Sequence, residues 1–494
     1  MNSNNKSKSN VFGDMPAEEF KEHGYKMIDW IAEYLTDIEK FPVIPDIKPG
    51  DIKNKLPKNP PRTSDSFEKI LADIDEKIIP GVTHWNHPNF MAYFNSTSSG
   101  PGILAEMLSA ALNTNGMLWK TSPSTTELER VTVDWMRQML GLSESFWGII
   151  YDTASVSSMH AIAAAREEVT EYSFRQKGLS GGEKIPKLRL YASEHAHSSI
   201  EKVAILLGIG IDGVRKIPVD NEFKMIPEKL SEAIIEDRKN GWRPFCAVAT
   251  VGTTSTTSID PVDKIADICE KERLWLHVDA AHAGVTAMLP EMKYIFKGVD
   301  RADSLVVNPH KWMFTPIDLS LFYIRKPDVL KRTFSLVPEY LKTAEDNSVE
   351  NLMDYGIQLG RRFRALKLWF IIRYFGVNGI IERLREHIRL GQLFASWIDK
   401  HPDFERMALT PFSTICFRAH PAKINSEAEI DKLNENLLQR INETGKLFIS
   451  HTKLNGKHVL RLSVSGIRTE ERHVREAWEL IQIKLKELFM QFSC

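Results

Sequence analysis

Apolar residues at Phe20, Met27, Ile31, Leu35 and Ile38 recur at helical spacing, so Pro16 to Ile38 is predicted as one amphipathic helix whose apolar stripe needs a surface to cover. The proline-rich stretch after it, Phe41 to Arg62, has no sustained period and is predicted as an extended arm, of a kind that can embrace a second subunit. Further on, short β-rich apolar runs alternate with longer helical patterns. Leu188–Ser193, Phe245–Val251, Leu274–Asp279, Ser304–Asn308 and Leu319–Ile324 are predicted as buried strands, with helix-length segments such as Ser155–Thr170 and Pro261–Glu272 between them. This alternation predicts a mainly parallel sheet covered on both faces. After about Phe375 the pattern is helix-led, with strands expected at Ser413–Arg418 and Val459–Ser463. Val474, Trp478, Ile481, Leu485 and Leu488 form one stripe, which predicts a closing helix over Arg472–Phe489. The fold class is therefore α/β, read as an N-terminal helical segment over 1–99, a large domain over 100–375 and a smaller α+β domain over 376–494.

Composition narrows the function. A chain of 494 residues exceeds the roughly 250–300 that one core serves, so more than one packed unit is expected. With 43% hydrophobic and 26% charged residues, it is not a disordered, collagen-like or coiled-coil chain. Lys and Arg number 64 against 65 Asp and Glu, which gives no electrostatic reason to expect nucleic acid or an anionic membrane; a small-molecule partner fits better. Cys246, Cys269, Cys416 and Cys494 are scattered with no metal-ligand or C-x-x-C spacing, as in a reducing compartment. The start, Met1 to Asn10, is polar, and no apolar run approaches the roughly 20 residues of a membrane span, so a cytoplasmic location is expected.

In an open parallel sheet a ligand lies beyond the carboxyl ends of the strands, and five such positions hold reactive or polar residues. Lys311 follows the run Leu305–Asn308, between His310 and Trp312; a lysine sheltered there can have a lowered pKa and act as a Schiff-base amine, although most lysines are solvated surface groups. Asp279 ends the run Trp275–Asp279 before the small residues Ala280 and Ala281. It can cap a helix or form a turn, or else hold the proton of a heterocyclic nitrogen. Thr153, Ala154 and Ser155 open a helix, where they either cap it or cradle a phosphate. His195 and His197 lack a third ligand at metal spacing, so no metal is expected, and an aromatic cover for a planar cofactor fits better. The hydroxyls from Thr250 to Ser255 could bond a phenolate-like oxygen or simply make a turn. Together these residues meet the demands of pyridoxal phosphate.

Several motifs then connect the chain to a known family: Gly81-Val82-Thr83-His84-Trp85, Met91-Ala92-Tyr93-Phe94, Ser122-Pro123 with Thr126-Glu127-Leu128-Glu129, His197-Ser198-Ser199, His277-Val278-Asp279-Ala280-Ala281, Asn308-Pro309-His310-Lys311-Trp312, Val337-Pro338-Glu339-Tyr340-Leu341 and Leu359-Gly360-Arg361-Arg362-Phe363. From about Pro16 to Met490 the sequence resembles the aromatic L-amino-acid decarboxylases, the glutamate-decarboxylase-like group II of fold type I enzymes dependent on pyridoxal 5′-phosphate. The resemblance implies that Lys311 bonds the cofactor, Asp279 pairs with its pyridine nitrogen, and His197 stacks on its ring and can reach the substrate carboxylate. It implies phosphate-side contacts from Ala154, Ser155, Asn308 and His310, with Thr254 and Ala281 lining the cofactor. Tyr340 matches the catalytic tyrosine of a mobile loop. Trp85, Tyr93, Phe94, Asn95 and Gly360 match the substrate pocket, joined from the neighbouring subunit of a homodimer by Met117 and Leu359.

That pocket is apolar with no evident Arg or Lys for a second carboxylate, which disfavours a glutamate-type substrate. The sequence departs from the animal dopa enzymes at Asn95-Ser96, Asn115 and His282, where those have Pro-Thr, an aliphatic residue and a tyrosine, and Lys342–Asp354 is shorter. The expected reaction is decarboxylation of tryptophan, 5-hydroxytryptophan, dopa, tyrosine or phenylalanine to the amine, with no ranking among them. The rivals are an aldehyde synthase, whose members carry Phe at the Tyr340 position, a transaminase, and a non-catalytic protein that kept the fold.

Overall fold

The computed structural model describes residues 13–169, 174–179, 185–345 and 348–492; Met1–Asn10, Thr170, Cys494 and two residues of the Lys342–Glu350 run lie outside these. The chain forms two compact units, Met1–His87 and Pro88–Cys494. In the first, the predicted helix spans Ala17–Thr36, opening after Pro16, which cannot donate to a preceding turn. None of its residues is buried, and Phe20 and Tyr25 are largely exposed. The proline-rich arm is not wholly extended. Gly50, at φ +102, turns the chain into a short helix over Asp51–Lys55.

The second unit is built on a seven-stranded sheet. Its strands are β1 (Trp147–Tyr151), β2 (Lys187–Ser193), β3 (Val214–Ile217), β4 (Trp242–Thr250), β5 (Trp275–Asp279), β6 (Ser304–Val307) and β7 (Ser320–Ile324), in the order β1-β7-β6-β5-β4-β2-β3. Neighbours are parallel from β3 through β6, whereas β7 runs antiparallel to both β6 and β1. The sheet is buried on both faces. Along β4, Ala247 and Ala249 enter one core while Cys246 and Val248 enter the other, as the period of two requires. Helices Ala154–Glu167, Pro227–Lys239 and Val262–Glu272 supply the cover.

A long helix, Arg364–Lys400, breaks at Gly376, where φ is +67 and ψ 164, beside the position at which the sequence pattern becomes helix-led. Beyond it lie β8 (Phe404–Arg406), β9 (Thr414–Ala419), β10 (Ser450–Leu454) and β11 (Lys457–Ser463), an antiparallel sheet in the order β10-β11-β9-β8. Helices Glu427–Asn442 and Glu471–Phe492 close it over Phe394, Phe417, Leu437, Leu460 and Trp478. Among the described residues, no helix is long and apolar enough to cross a membrane.

Candidate active site

The parallel strands end together, and the chain leaving each end carries the polar residues. The β6 chain passes through Asn308 into the helical turn Pro309–Trp312; β5 ends on Asp279, β4 on Thr250, and β1 leads into the helix Ala154–Glu167. These ends enclose a cavity of about 190 Å³. Ala154, Ser155, His197, Thr254, Asp279, Ala281, Asn308, His310 and Lys311 all line it, so the nine positions read as cofactor contacts meet in one place. Gly252, at φ +89, lets the wall close, because a Cβ there would stand 2.6 Å from that of Ala283. A larger cleft of about 280 Å³ lies at the opposite strand ends among charged groups such as Arg243, Glu270, Arg301 and Asp303, away from this chemistry.

Burial holds the Lys311 amine below the ordinary lysine pKa; the Asp279 charge opposes this shift and the Arg461 guanidinium adds to it. Asp279 is fixed by Ala281, whose N–H donates to Oδ1 at 3.0 Å. His197 is likewise lowered by burial, against Asp279 and with Lys311. The Ser199 N–H donates to His197 Nδ1 at 3.1 Å, so the neutral ring carries its proton on Nε2. His310, pushed down to about 4 by burial, accepts from the Leu319 N–H at Nδ1, which leaves its proton on Nε2 also.

At the start of the helix Ala154–Glu167, Thr153 makes no side-chain cap; its hydroxyl turns back to Asp152 Oδ1 at 3.3 Å. The first helical N–H groups thus stay open for an anion. Thr250 Oγ1 and both ring nitrogens of His282 are buried without a hydrogen-bond partner. A desolvated amine, a facing carboxylate, an open helix start and unpartnered polar atoms fit a phosphorylated pyridine aldehyde.

The substrate-side residues divide. Phe94 lines the cavity, with the Lys311 amine 5.3 Å from its ring centre. Tyr93, at φ +55, is half exposed and offers its carbonyl to Arg461 Nη1 at 2.7 Å. Asn95 does not line the cavity: it is fully buried and donates to the Phe90 carbonyl at 2.9 Å, so in this chain it braces the strap that carries Phe94. Met117, Leu359 and Gly360 also lie outside the cavity lining. They share a second cluster, tied by Gly116 N–H to the Arg361 carbonyl at 2.9 Å and Met353 N–H to the Met117 carbonyl at 3.2 Å. Trp85 belongs to the first unit and is partly exposed. Tyr340 lies in the turn Glu339–Leu341, anchored by buried Leu341 against Leu118 and Met353; the Tyr340 side chain lies outside what is described.

Two features escaped the sequence reading. Arg461 on β11 is buried beside Phe94, 4.5 Å from the ring centre, so a cation stands behind the cavity wall although it does not line the cavity. Its Nε and Nη1 are occupied by the carbonyls of Ser255 and Tyr93, while Nη2 has no partner. Its position between Leu460 and Leu462 looks in sequence like the outward site of an alternating strand. The second is a buried ion pair: Arg361 Nη2 meets Glu129 Oε1 at 2.7 Å and the Ile150 carbonyl at 2.8 Å, pinning the turn that carries Leu359 and Gly360.

Comparisons with known proteins point the same way. The pyridoxal-dependent decarboxylase conserved domain matches residues 49–420. Tryptophan decarboxylase 2 of Oryza sativa subsp. japonica is 40% identical over 478 residues, covering 95% of each chain. Phenylacetaldehyde synthase of Arabidopsis thaliana is 39% identical over 482 residues, 96% of this chain and 97% of its own. Among solved structures, Oryza sativa TDC with PLP and tryptamine superposes with a TM-score of 0.93 at 34% identity, covering 97% of this chain and all of the other.

Proposed function

The chain belongs to the pyridoxal-dependent decarboxylase family, and on that footing we propose that the Lys311 cavity is where an aromatic L-amino acid loses its carboxylate as CO2 and becomes the amine. The protein is a carboxy-lyase with pyridoxal 5′-phosphate as cofactor. The observation that carries the site assignment is the meeting of all nine cofactor positions on one cavity, with the Lys311 amine desolvated and Asp279 opposing that shift.

When bound, the cofactor supplies an aldehyde that bonds amines and a protonated ring that takes up the electron pair left by departing CO2. Lys311 would hold it through its amine and would be freed as the substrate amine takes its place. Asp279 keeps the proton on the pyridine nitrogen, and its fixed Oδ1 keeps the carboxylate in place. The helix start at Ala154 and Ser155, with Asn308 and His310, binds the phosphate. His197 Nε2–H covers the ring side. Tyr340 donates a proton to the substrate α-carbon after CO2 has left, and Phe94 helps to exclude water. A tyrosine at 340 favours the amine over the aldehyde product of a synthase.

We also propose a homodimer. Leu104, Met107, Leu108 and Leu112 leave an apolar face exposed on the helix Gly100–Leu112, and helix Ala17–Thr36 buries none of its residues. The placement of Met117 and Leu359 outside their own chain's cavity supports sites shared between subunits. Buried free thiols at Cys246, Cys269 and Cys416 support a reducing, cytoplasmic location.

The test is incubation of the holoenzyme with L-tryptophan, 5-hydroxytryptophan, dopa, tyrosine, phenylalanine and glutamate, with amine, aldehyde and CO2 quantified. Amine and CO2 in equal amounts from one or more aromatic substrates, and none from glutamate, are expected. Turnover of glutamate alone, or aldehyde and peroxide as the main products, would overturn the proposal.

A further inference from the structure

Beside Lys311 stands a histidine that no step above uses. His282 follows Ala281 after β5 and is 1% exposed. Its ring lies between Phe94, 3.7 Å away at 13°, and Trp312, 4.9 Å away at 7°. The stack is fixed from behind, because Trp312 Nε1 donates to His387 Nδ1 at 3.0 Å on the long helix Arg364–Lys400. Stacking alone needs no nitrogen. A phenyl ring would fill such a slot without burying polar atoms, yet both ring nitrogens of His282 are buried, lack a partner and belong to a residue that lines the cavity.

The surroundings select what those nitrogens serve. Burial, the Lys311 amine and the Arg461 guanidinium together hold His282 well below the usual histidine pKa, so the ring is neutral, with one N–H to donate and one lone pair. Arg461 adds an unpartnered Nη2 to the same neighbourhood. The Arg461 guanidinium and a neutral donor favour an anion. Of the groups on an aromatic amino acid, the amine goes to the cofactor and the ring to apolar walls, which leaves the carboxylate.

We propose that His282 binds the carboxylate of the amino-acid substrate through its ring N–H, as an uncharged donor held in aim by the Phe94–Trp312 stack. This rests on the reaction proposed above. An uncharged donor suits that reaction. The carboxylate loses its charge as it leaves, so a full ion pair would stabilise the bound substrate more than the transition state, whereas a neutral N–H orients the group with less of that penalty.

Two probes that cannot lose CO2 by this reaction separate this role from a structural one: a 3-arylpropionate, with a carboxylate and no amine, and the 2-arylethylamine, with an amine and no carboxylate. Each is titrated into holoenzyme and followed by the cofactor's visible absorbance, and the affinity of apo-protein for pyridoxal phosphate is measured alongside. His282→Phe keeps an aromatic ring and removes the nitrogens; His282→Leu is a second nitrogen-free variant should the first fail to fold. In either, the arylpropionate is expected to weaken about ten- to a hundredfold relative to the arylethylamine, the scale of one hydrogen bond to a charged group. Cofactor affinity should stay within about threefold, and His282→Asn, which restores an N–H, should recover part of the arylpropionate binding. An unchanged ratio of the two probe affinities in a nitrogen-free variant that holds cofactor would overturn the inference. Failure of the proposed reaction would show differently, as wild-type holoenzyme that binds neither probe.

Discussion

Asp279→Asn isolates one charge. The amide keeps the size of the carboxylate, and its oxygen can still accept the Ala281 N–H that Asp279 Oδ1 accepts at 3.0 Å, so fold and cavity should survive. What goes is the negative charge that raises the proton affinity of both Lys311 and His197, and that keeps the cofactor's ring protonated. At about 4 Å and an effective dielectric near 20, one charge pair contributes about 4 kcal/mol, or roughly three pKa units. Losing about 2.7 kcal/mol of this in the transition state lowers kcat about a hundredfold. The sign for Lys311 follows as well: its pKa, already lowered by burial, falls further in the apo-variant, so the free amine should react with acylating reagents at lower pH than in wild type. The assays are steady-state CO2 release with cofactor occupancy read from visible absorbance, and the pH dependence of Lys311 labelling in apo-protein. Near-wild-type kcat in a fully loaded Asn variant would refute the pairing.

Gly360→Ser should lower kcat/KM for tryptophan more than for tyrosine; a Cβ there meets only Asn115 Nδ2 at 3.8 Å, so its own chain is not strained, and an equal effect on both substrates would show that the position does not discriminate. Tyr340→Phe should keep CO2 release but shift product from amine to aldehyde plus peroxide in air; an unchanged ratio would remove Tyr340 as donor and point to His197. Arg361→Ala leaves the buried Glu129 carboxylate, among the described residues, with the Ile150 N–H at 2.9 Å and should cost about 3–5 kcal/mol, seen as a lowered thermal midpoint that the double variant Glu129→Gln, Arg361→Met largely restores. A single variant within about 1 °C of wild type would contradict that estimate.

The strand ends were legible because burial on both faces makes parallel strands read as apolar runs, and the reactive residues follow those runs directly. Lys311, Asp279 and the Ala154–Ser155 turn were found this way. Strand direction was not legible: β7 is as apolar as β6, and nothing in Ser320–Ile324 marks it antiparallel. The edge strand β3, only Val214–Ile217 with a single buried residue, carries too little pattern to stand out, and β1 is a five-residue run beside a long helix. Residues that act across long chain separations were hidden as well. Arg461 reaches Tyr93, and Glu129 reaches Arg361, through contacts that only the folded chain creates. His282 could be noted in sequence as a departure, but its stack and its unpartnered nitrogens belong to the structure.

Every role assigned at the cavity depends on Lys311 being the lysine that carries the cofactor. Borohydride reduction of the holoenzyme, followed by proteolysis and peptide mass mapping, should place the reduced pyridoxyl adduct on the peptide containing Lys311. It should find none there when substrate amine has first displaced the cofactor from the lysine. An adduct on any other lysine, with Lys311 unmodified, would contradict the central claim.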